Sequence, residues 1–386
     1  MAAGLLPQSA AGSKGASNVD MISQLPHDLK DRILECLDSR EAARTALLST
    51  QWKDVWLRHG RLVFDWDFHK TQAGRKRTRE DNKREDFVKM VTEILLSRSG
   101  PVKKFKLVIP KSGPKLLQSD LEVWCRHLSR NGIEELHLAC STVDQEGGKL
   151  RYKLPICIFS CHTIKQMRLD GFSIVFPANA RLGSIFSCLT SLHMRDCVVC
   201  MHHPTGTVPT IPNLEELVFC PCGDIKDFVV SAPKLRTLCV MYSPIQTDWE
   251  WFEPHFRTIK LLMLSPETLL LLKRFPNLLV LRIVLGDKPC STTHAREAAP
   301  RMLEDPSGWF DDQDLCKLAI VLVETFSASR QEMLFMKAIL SSSPALDKFV
   351  IKESSNIDAS VAFKFPRELL SFRRASPKAQ IIFDGR

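Results

Sequence analysis

No stretch of this 386-residue chain comes near the roughly 20 consecutive apolar residues needed to cross a bilayer. The most apolar one, Leu261 to Leu272, is interrupted by Ser265, Pro266 and Glu267 and closed by Lys273, so no membrane partner is expected. Missing too are a GxxxxGK[ST] phosphate loop, a GxSxG elbow, an HExxH helix and any glycine cluster with a dinucleotide fingerprint. Isolated neighbours such as His255 after Glu253 arise by chance at this length. These absences argue against an enzyme and call for no cofactor. Residues 1–19, rich in Ala, Gly and Ser, hold no sustained apolar core and read as a disordered tail, not a targeting peptide. Thirteen cysteines, an odd number without a secretory signal, fit free thiols in a reducing compartment, hence the nucleus, the cytoplasm or both.

What is present suits a small module followed by one large domain. The hydrophobic fraction of 44% is ordinary for a globular protein, and 53 Lys and Arg against 44 Asp and Glu leave a mild excess of +9. The densest charge lies in 74–86, where Arg75, Lys76, Arg77, Arg79, Lys83 and Arg84 are diluted by Glu80, Asp81, Glu85 and Asp86. No aromatics are interleaved for base stacking, so the run reads as a solvated loop, with nuclear import as the second reading and nucleic-acid contact not expected. Phe87, Val88, Val91, Ile94 and Leu95 then restore a helical face, within a linker over 61–100.

Over 20–60 the chain packs three short amphipathic helices and two tryptophans. Pro26 sits where a helix starts without losing a hydrogen bond, and Leu25, Leu29, Ile33, Leu34 and Leu37 repeat at helical spacing. Asp38 with Glu41 three residues on predicts a capping box for a second helix carrying Ala42, Ala43, Ala46 and Leu47. Ser49 caps a third, in which Trp52, Val55 and Trp56 fall at i, i+3 and i+4. So small a unit cannot consume that much apolar surface, and the surplus predicts a protein partner.

The ordered run Ile22-Ser-Gln-Leu-Pro26, Ile33-Leu34-x-x-Leu37, Arg44-Thr-Ala-Leu-Leu-Ser49 and Trp52-Lys-Asp-Val-Trp56 resembles the F-box of the large plant family that joins an F-box to leucine-rich repeats and a C-terminal FBD segment. The resemblance implies docking to a Skp-type adaptor and, through it, to the cullin and RING subunit of an SCF ubiquitin ligase, in the ubiquitin conjugation pathway. Leu25, Pro26, Ile33, Leu34, Leu37, Leu47, Leu48, Trp52 and Trp56 are the expected adaptor-binding residues, some of them serving the module's own core.

From Val102 a different pattern sets in, with apolar residues at x, x+3 and x+5. It reads Val102-Phe105-Leu107, Ile133-Leu136-Leu138, Ile164-Met167-Leu169, Leu189-Leu192-Met194, Leu214-Leu217-Phe219, Leu235-Leu238-Val240, Ile259-Leu262-Leu264 and Leu278-Leu281-Ile283. Successive copies lie 19 to 31 residues apart, in the range of leucine-rich repeats. Because side chains alternate along a strand, x+3 and x+5 share the inward side, and stacking must supply the core that no single copy can build. This predicts an α/β chain: a three-helix F-box, an irregular leucine-rich-repeat solenoid over 101–286, a polar loop over 287–312 and an FBD-like cap over 313–386. In that last part Leu318, Ile320 and Leu322 alternate as a strand, and Arg330 to Leu340 form a helix with Met333, Met336 and Leu340 on one side. Leu346-Phe349-Ile351 repeats the motif, and Glu368-Leu-Leu-x-Phe372 with Ser376-Pro377-x-Ala379-x-Ile381-Ile382 resembles the FBD segment.

His193, Cys197, Cys200, His202 and His203 invite a zinc assignment, but no metal site is expected. His193 faces out of its strand, whereas Cys197 falls where leucine-rich repeats favour Asn or Cys in the turn, and Cys222 has the same offset from Leu214. The expected function is a non-catalytic substrate receptor holding a protein target, with a repeat scaffold that acts without cullin or degradation as the alternative. Outward strand positions Glu135, Arg168, His193, Glu216, Arg236 and Arg282 are the candidate target contacts.

Overall fold

The computed structural model describes residues 22, 24–66, 68, 80–109, 115–140, 151–176, 185–201, 208–222, 228–241, 252–285, 310, 315–355, 357 and 359–384. The expected tail, His202 and His203, Arg75 to Arg79 and nearly all of the polar loop lie outside these residues. The chain divides into two compact units, Met1–His59 and Gly60–Arg386.

The first unit holds α1 (His27–Glu35), α2 (Ser39–Thr45) and α3 (Thr50–Arg58). Local chemistry sets their starts. Pro26 is the residue before α1, not its first member, and its carbonyl accepts the first N–H groups of the helix, from Leu29 and Lys30. Asp38 Oδ1 accepts Arg40 N–H and Glu41 N–H at 2.9 Å each, and Ser49 Oγ accepts Trp52 N–H at 3.3 Å, so both helices are capped; the expected box at Asp38 is only half made, because Glu41 Oε1 accepts from Arg44 Nη1 at 2.8 Å instead. Leu34, Ala42, Trp52, Val55 and Trp56 are buried. Asp31 Oδ1 lies 2.7 Å from His59 Nδ1, fastening α1 to the end of α3.

The second unit is built on one twelve-stranded parallel sheet, in the order β1-β2-β3-β5-β7-β9-β10-β11-β12-β13-β14-β15. Its members are β1 (Arg61–Phe64), β2 (Lys104–Ile109), β3 (Glu135–Cys140), β5 (Gln166–Asp170), β7 (Ser191–Arg195), β9 (Glu216–Cys220), β10 (Thr237–Val240), β11 (Leu261–Leu264), β12 (Val280–Val284), β13 (Ile320–Phe326), β14 (Lys348–Glu353) and β15 (Gln380–Asp384). Register is strict. Phe105 pairs with Leu136, Leu136 with Met167, Met167 with Leu192, and the row continues through Leu217, Leu238, Leu262 and Leu281 to Val321 and Phe349. All residues of the eight sequence-read copies are buried, at 3% exposure or less. At about 1.5–3 kcal/mol per buried large side chain, these rows supply the main gross stabilisation of the unit.

The ribbon extends past those copies at both ends. Leu62 and Phe64 in β1 hold the x+3 and x+5 places, paired with Phe105 and Leu107, so 61–64 belongs to the sheet and not to a linker. At the other end Leu318, Val321 and Val323 are buried while Ile320 is exposed and Leu322 half-buried. The expected Leu318, Ile320, Leu322 alternation therefore has the wrong phase beyond Leu318; the repeat spacing, not simple alternation, governs that strand. Leu346, Phe349 and Ile351 are buried as the motif requires.

A second line of bonds stitches the copies just before each strand. The N–H at position x+1 donates to the x+1 carbonyl of the copy before it, from Lys103 to Gly60, Glu134 to Lys103, Lys165 to Glu134 and onward to Asp347 to Ala319; at the last step Gln380 N–H, at x+2, donates to Asp347. Behind the main sheet a small parallel one, β4 (Tyr152–Lys153), β6 (Phe172–Phe176) and β8 (Val198–Met201), forms where strands lead directly into a second layer. Elsewhere helices take that place. In α4 (Glu80–Leu96) Phe87, Val91 and Leu95 are buried, and Phe87 meets Trp124 of α5 (Gln118–Arg130) edge-on. The second half of the charge run is thus the opening of α4 and not loop; Arg84 pairs with Asp120 at 3.1 Å.

Side chains also cap the x+5 carbonyls. Cys197 Sγ reaches Leu169 O at 3.5 Å, Cys222 Sγ reaches Met194 O at 3.3 Å, and the Thr268 hydroxyl lies 3.0 Å from Val240 O. Burial pushes the Cys197 thiol up to about 11 and the Cys222 thiol to about 12, which suits weak donors and not thiolate ligands. Thr268 also accepts Ser265 N–H at 3.1 Å near the start of the 3-10 helix Pro266–Arg274. Thr268→Val keeps the shape and strands these fully buried groups, so it should cost about 1–3 kcal/mol, read as a lower urea midpoint.

The C-terminal region continues the same sheet. Ser329 and Glu332 cap α6 (Arg330–Ser342) reciprocally, and Met333, Met336 and Leu340 are buried. In α7 (Ala359–Ser371), Phe365 bridges Phe326 of β13 and Phe383 of β15 edge-on. Ser376 Oγ donates to Leu346 O at 2.6 Å.

Candidate functional site

Helical spacing divides the apolar residues of the first unit into two faces. Leu29 and Ile33 fall four apart on one stripe of α1, with Leu25 before the helix and Leu37 after it at the same spacing, and Leu34 is turned about 100° from Ile33. Leu34 is buried, whereas Leu29 is 44% and Ile33 38% exposed. Leu47 and Leu48, between α2 and α3, are 86% and 69% exposed, and Ile22 stands equally open. Leu25 and Leu37 are half-buried and Pro26 is exposed. Both indoles lie inside: Trp52 is covered, with Lys30 Nζ 5.8 Å from its ring centre, and Trp56 stacks near His59. Of the nine expected adaptor contacts, then, Leu34, Trp52 and Trp56 belong to the core of the unit. The other six are open or partly so. Ile22 and Leu29 complete the open set; for Leu29 the signal was the four-residue spacing itself.

On the second unit the outward side of the ribbon carries positions x+2, x+4 and x+6. Glu135, Arg168, His193, Glu216 and Arg282 stand on it as expected. Arg236 does not: it precedes β10 at x+1, where its backbone joins the inter-copy ladder. Arg168 and His193 are register partners, and His193 Nε2 lies 3.1 Å from Glu216 Oε2, which also accepts from Ser191 Oγ at 2.7 Å. Burial works to raise the Glu216 pKa, but these two hydrogen bonds and the charges of His193 and Arg168 outweigh it and hold the carboxyl below its usual range. Glu135 and Arg282 stand apart from that cluster. Glu135 pairs with Lys104 at 3.0 Å, and one Arg282 nitrogen is 2.8 Å from both oxygens of Glu324.

His137, which sequence reasoning passed over, occupies the x+4 place between Lys106 and Arg168. Partial burial, then the charges of Lys106, Arg168 and Arg195, push its pKa down to about 4. The unfolded chain takes up this proton near the ordinary histidine value of about 6.5. Between about pH 6.5 and 4 it therefore binds more protons than the folded one, and the neutral ring's contribution fades as pH falls through that window. His137→Gln should flatten the loss of melting temperature between pH 7 and 5.

The Cys/His cluster does not converge. His193 faces outward, Cys197 is fully buried on its carbonyls, and among the described residues no group of three or more His, Cys, Asp or Glu could hold a metal ion. Every described cysteine is unbridged.

Comparison with known proteins agrees with this geometry. Residues 22–64 match the F-box domain model, and residues 121–249 match the model described as FBD-associated F-box protein At5g56370, LRR repeats. The chain is similar to F-box/FBD/LRR-repeat protein At1g13570 of Arabidopsis thaliana, at 26% identity covering 94% of this chain and 98% of that one. It is similar also to F-box/LRR-repeat protein At2g42720 (33%, covering 58% of this chain and 49% of the relative) and to F-box/FBD/LRR-repeat protein At5g56420 (28%, covering 57% and 48%), both of the same plant. The chain spans about half the length of those two relatives. An F-box in general binds a Skp-type adaptor. This chain accordingly carries an F-box over 22–64 and leucine-rich repeats over 121–249 similar to those of the plant FBD-associated F-box proteins, the family its residues resemble.

Proposed function

We propose that the chain is a non-catalytic substrate receptor of an SCF-type ubiquitin ligase, active in the nucleus, the cytoplasm or both. The observation that carries the reading is the open face of the F-box. Ile22, Leu29, Ile33, Leu47 and Leu48 are exposed while the two indoles next to them in sequence are spent on the core. Five large aliphatic residues left in water add little to the module's own stability, and their burial becomes a gain only when a partner covers them. A Skp-type adaptor is the partner that an F-box implies, with cullin and the RING subunit beyond it. The ribbon then holds a protein target, and catalysis is by proximity: target lysines meet the ubiquitin-charged enzyme at high effective concentration.

Affinity purification of the tagged full chain from plant cells tests this. Recovery of a Skp-type adaptor together with cullin is the expected result. Adaptor without cullin would favour a scaffold that acts outside degradation, and recovery of neither would remove the reading.

A further inference from the structure

We propose that the outward face of the ribbon takes an extended protein segment with acidic residues at one end and apolar residues at the other, the acidic end over β3 to β7. The proposal rests on the receptor reading and narrows it to a chemistry. Register places Lys106, His137, Arg168 and His193 side by side at x+4 on four neighbouring strands. The two outer members are answered, Lys106 by Asp65 at 3.2 Å and His193 by Glu216 at 3.1 Å. The middle is not: Arg168, and Arg195 two residues beyond His193, are exposed and make no ion pair among the described residues. His137, between Lys106 and Arg168, has only cationic charges acting on it. Two exposed guanidiniums without an ion pair among the described residues, on neighbouring strands of one sheet face, favour a carboxylate-bearing guest.

From β9 onward the same columns change character. Val218, Met263, Val280, Ile320 and Leu322 hold outward places where a solvated sheet face carries polar residues. Among the described residues of β10 to β13 the charged pair on this face is Arg282 with Glu324, which is closed on itself. A guest must therefore change from acidic to apolar along the ribbon. Seven strand spacings separate β3 from β13, roughly 34 Å at about 4.8 Å each, the reach of about ten extended residues. A phosphate backbone fits poorly, since Glu135, Glu216 and Glu324 stand on the same face.

The test is selection of a random twelve-residue peptide display library on the purified full-length chain, without adaptor. Enrichment of peptides with Asp or Glu at one end and Leu, Ile, Met, Val or Phe at the other is the expected result. The best such peptide should bind on the order of tenfold weaker to Arg168→Glu with Arg195→Glu, and weaker at higher salt. Arg168→Ala with Arg195→Ala, which keeps the solvated surface neutral, should weaken it in the same direction, and Ile320→Gln with Leu322→Gln should weaken it through the other end. No enrichment, enrichment without acidic bias, or affinity indifferent to the arginine pairs would overturn the proposal. Adaptor recovery is scored separately in all variants and should not change, so failure of the receptor reading is visible on its own.

Discussion

Leu47→Asp combined with Leu48→Asp should weaken adaptor binding by about a hundredfold or more, because binding would then have to bury two unpaired carboxylates at the centre of an apolar contact. The same change should leave the melting temperature almost where it was. At 86% and 69% exposure neither leucine contributes much to the folded unit, and surface substitutions of this kind shift stability by about 0.5 kcal/mol or less. Trp52→Ala is the converse. Its indole is 2% exposed under Lys30, and truncating it should cost about 3–5 kcal/mol, more than a unit of this size can spare. Circular dichroism and adaptor titration on the two variants separate the cases: loss of binding with intact helices for the leucines, loss of both for the tryptophan. Equal unfolding in both would mean that the leucines are core after all.

The second large effect is expected at Gly171. It joins β5 to β6 with φ +76, and a Cβ built there would lie 2.1 Å from the Cys140 carbonyl oxygen of the preceding copy. Neither atom can yield, because Cys140 ends a paired strand and Gly171 N–H is itself bonded to Arg195 O at 2.9 Å. Gly171→Ala should therefore cost about 3–5 kcal/mol, adding backbone overlap to the strain of a left-handed residue. Gly132 is the control. Its φ is +75, yet an added Cβ would meet only Pro101 Cβ at 3.8 Å, so Gly132→Ala should cost about 1–2 kcal/mol, the left-handed strain alone. Urea midpoints of the two variants give the comparison directly.

What could be read in the residues follows from which forces are local. The eight repeat copies were legible because x, x+3 and x+5 are apolar in each, and burial of a strand's inward side depends on little else. The first strand escaped notice because its x place is His59, a polar residue that spends itself on Asp31, which leaves only Leu62 and Phe64 to mark it. In the strand after the polar loop both sides are apolar, Ile320 and Leu322 outward against Val321 and Val323 inward, so alternation alone could not choose a face. The caps at Asp38 and Ser49 were legible because a carboxylate or hydroxyl answers its own helix's N–H groups. The indoles show the limit. Trp52 and Trp56 were correctly placed on one face of α3, but whether that face looks inward depends on how three helices close on each other, and spacing within one helix carries no such information. Arg236 was placed against the pattern itself: at x+1 it lies two residues before the inward Leu238, and the outward places of that copy begin at Thr237.

A Skp-type adaptor that docks on the F-box has to cover its open aliphatic residues. Amide hydrogen exchange of the full chain, with and without purified adaptor, reads this out segment by segment. Slowed exchange is expected over α1 and over the stretch from Arg44 to Ser49, with the ribbon unchanged. Binding that left those two segments untouched, or no binding at micromolar adaptor, would contradict it.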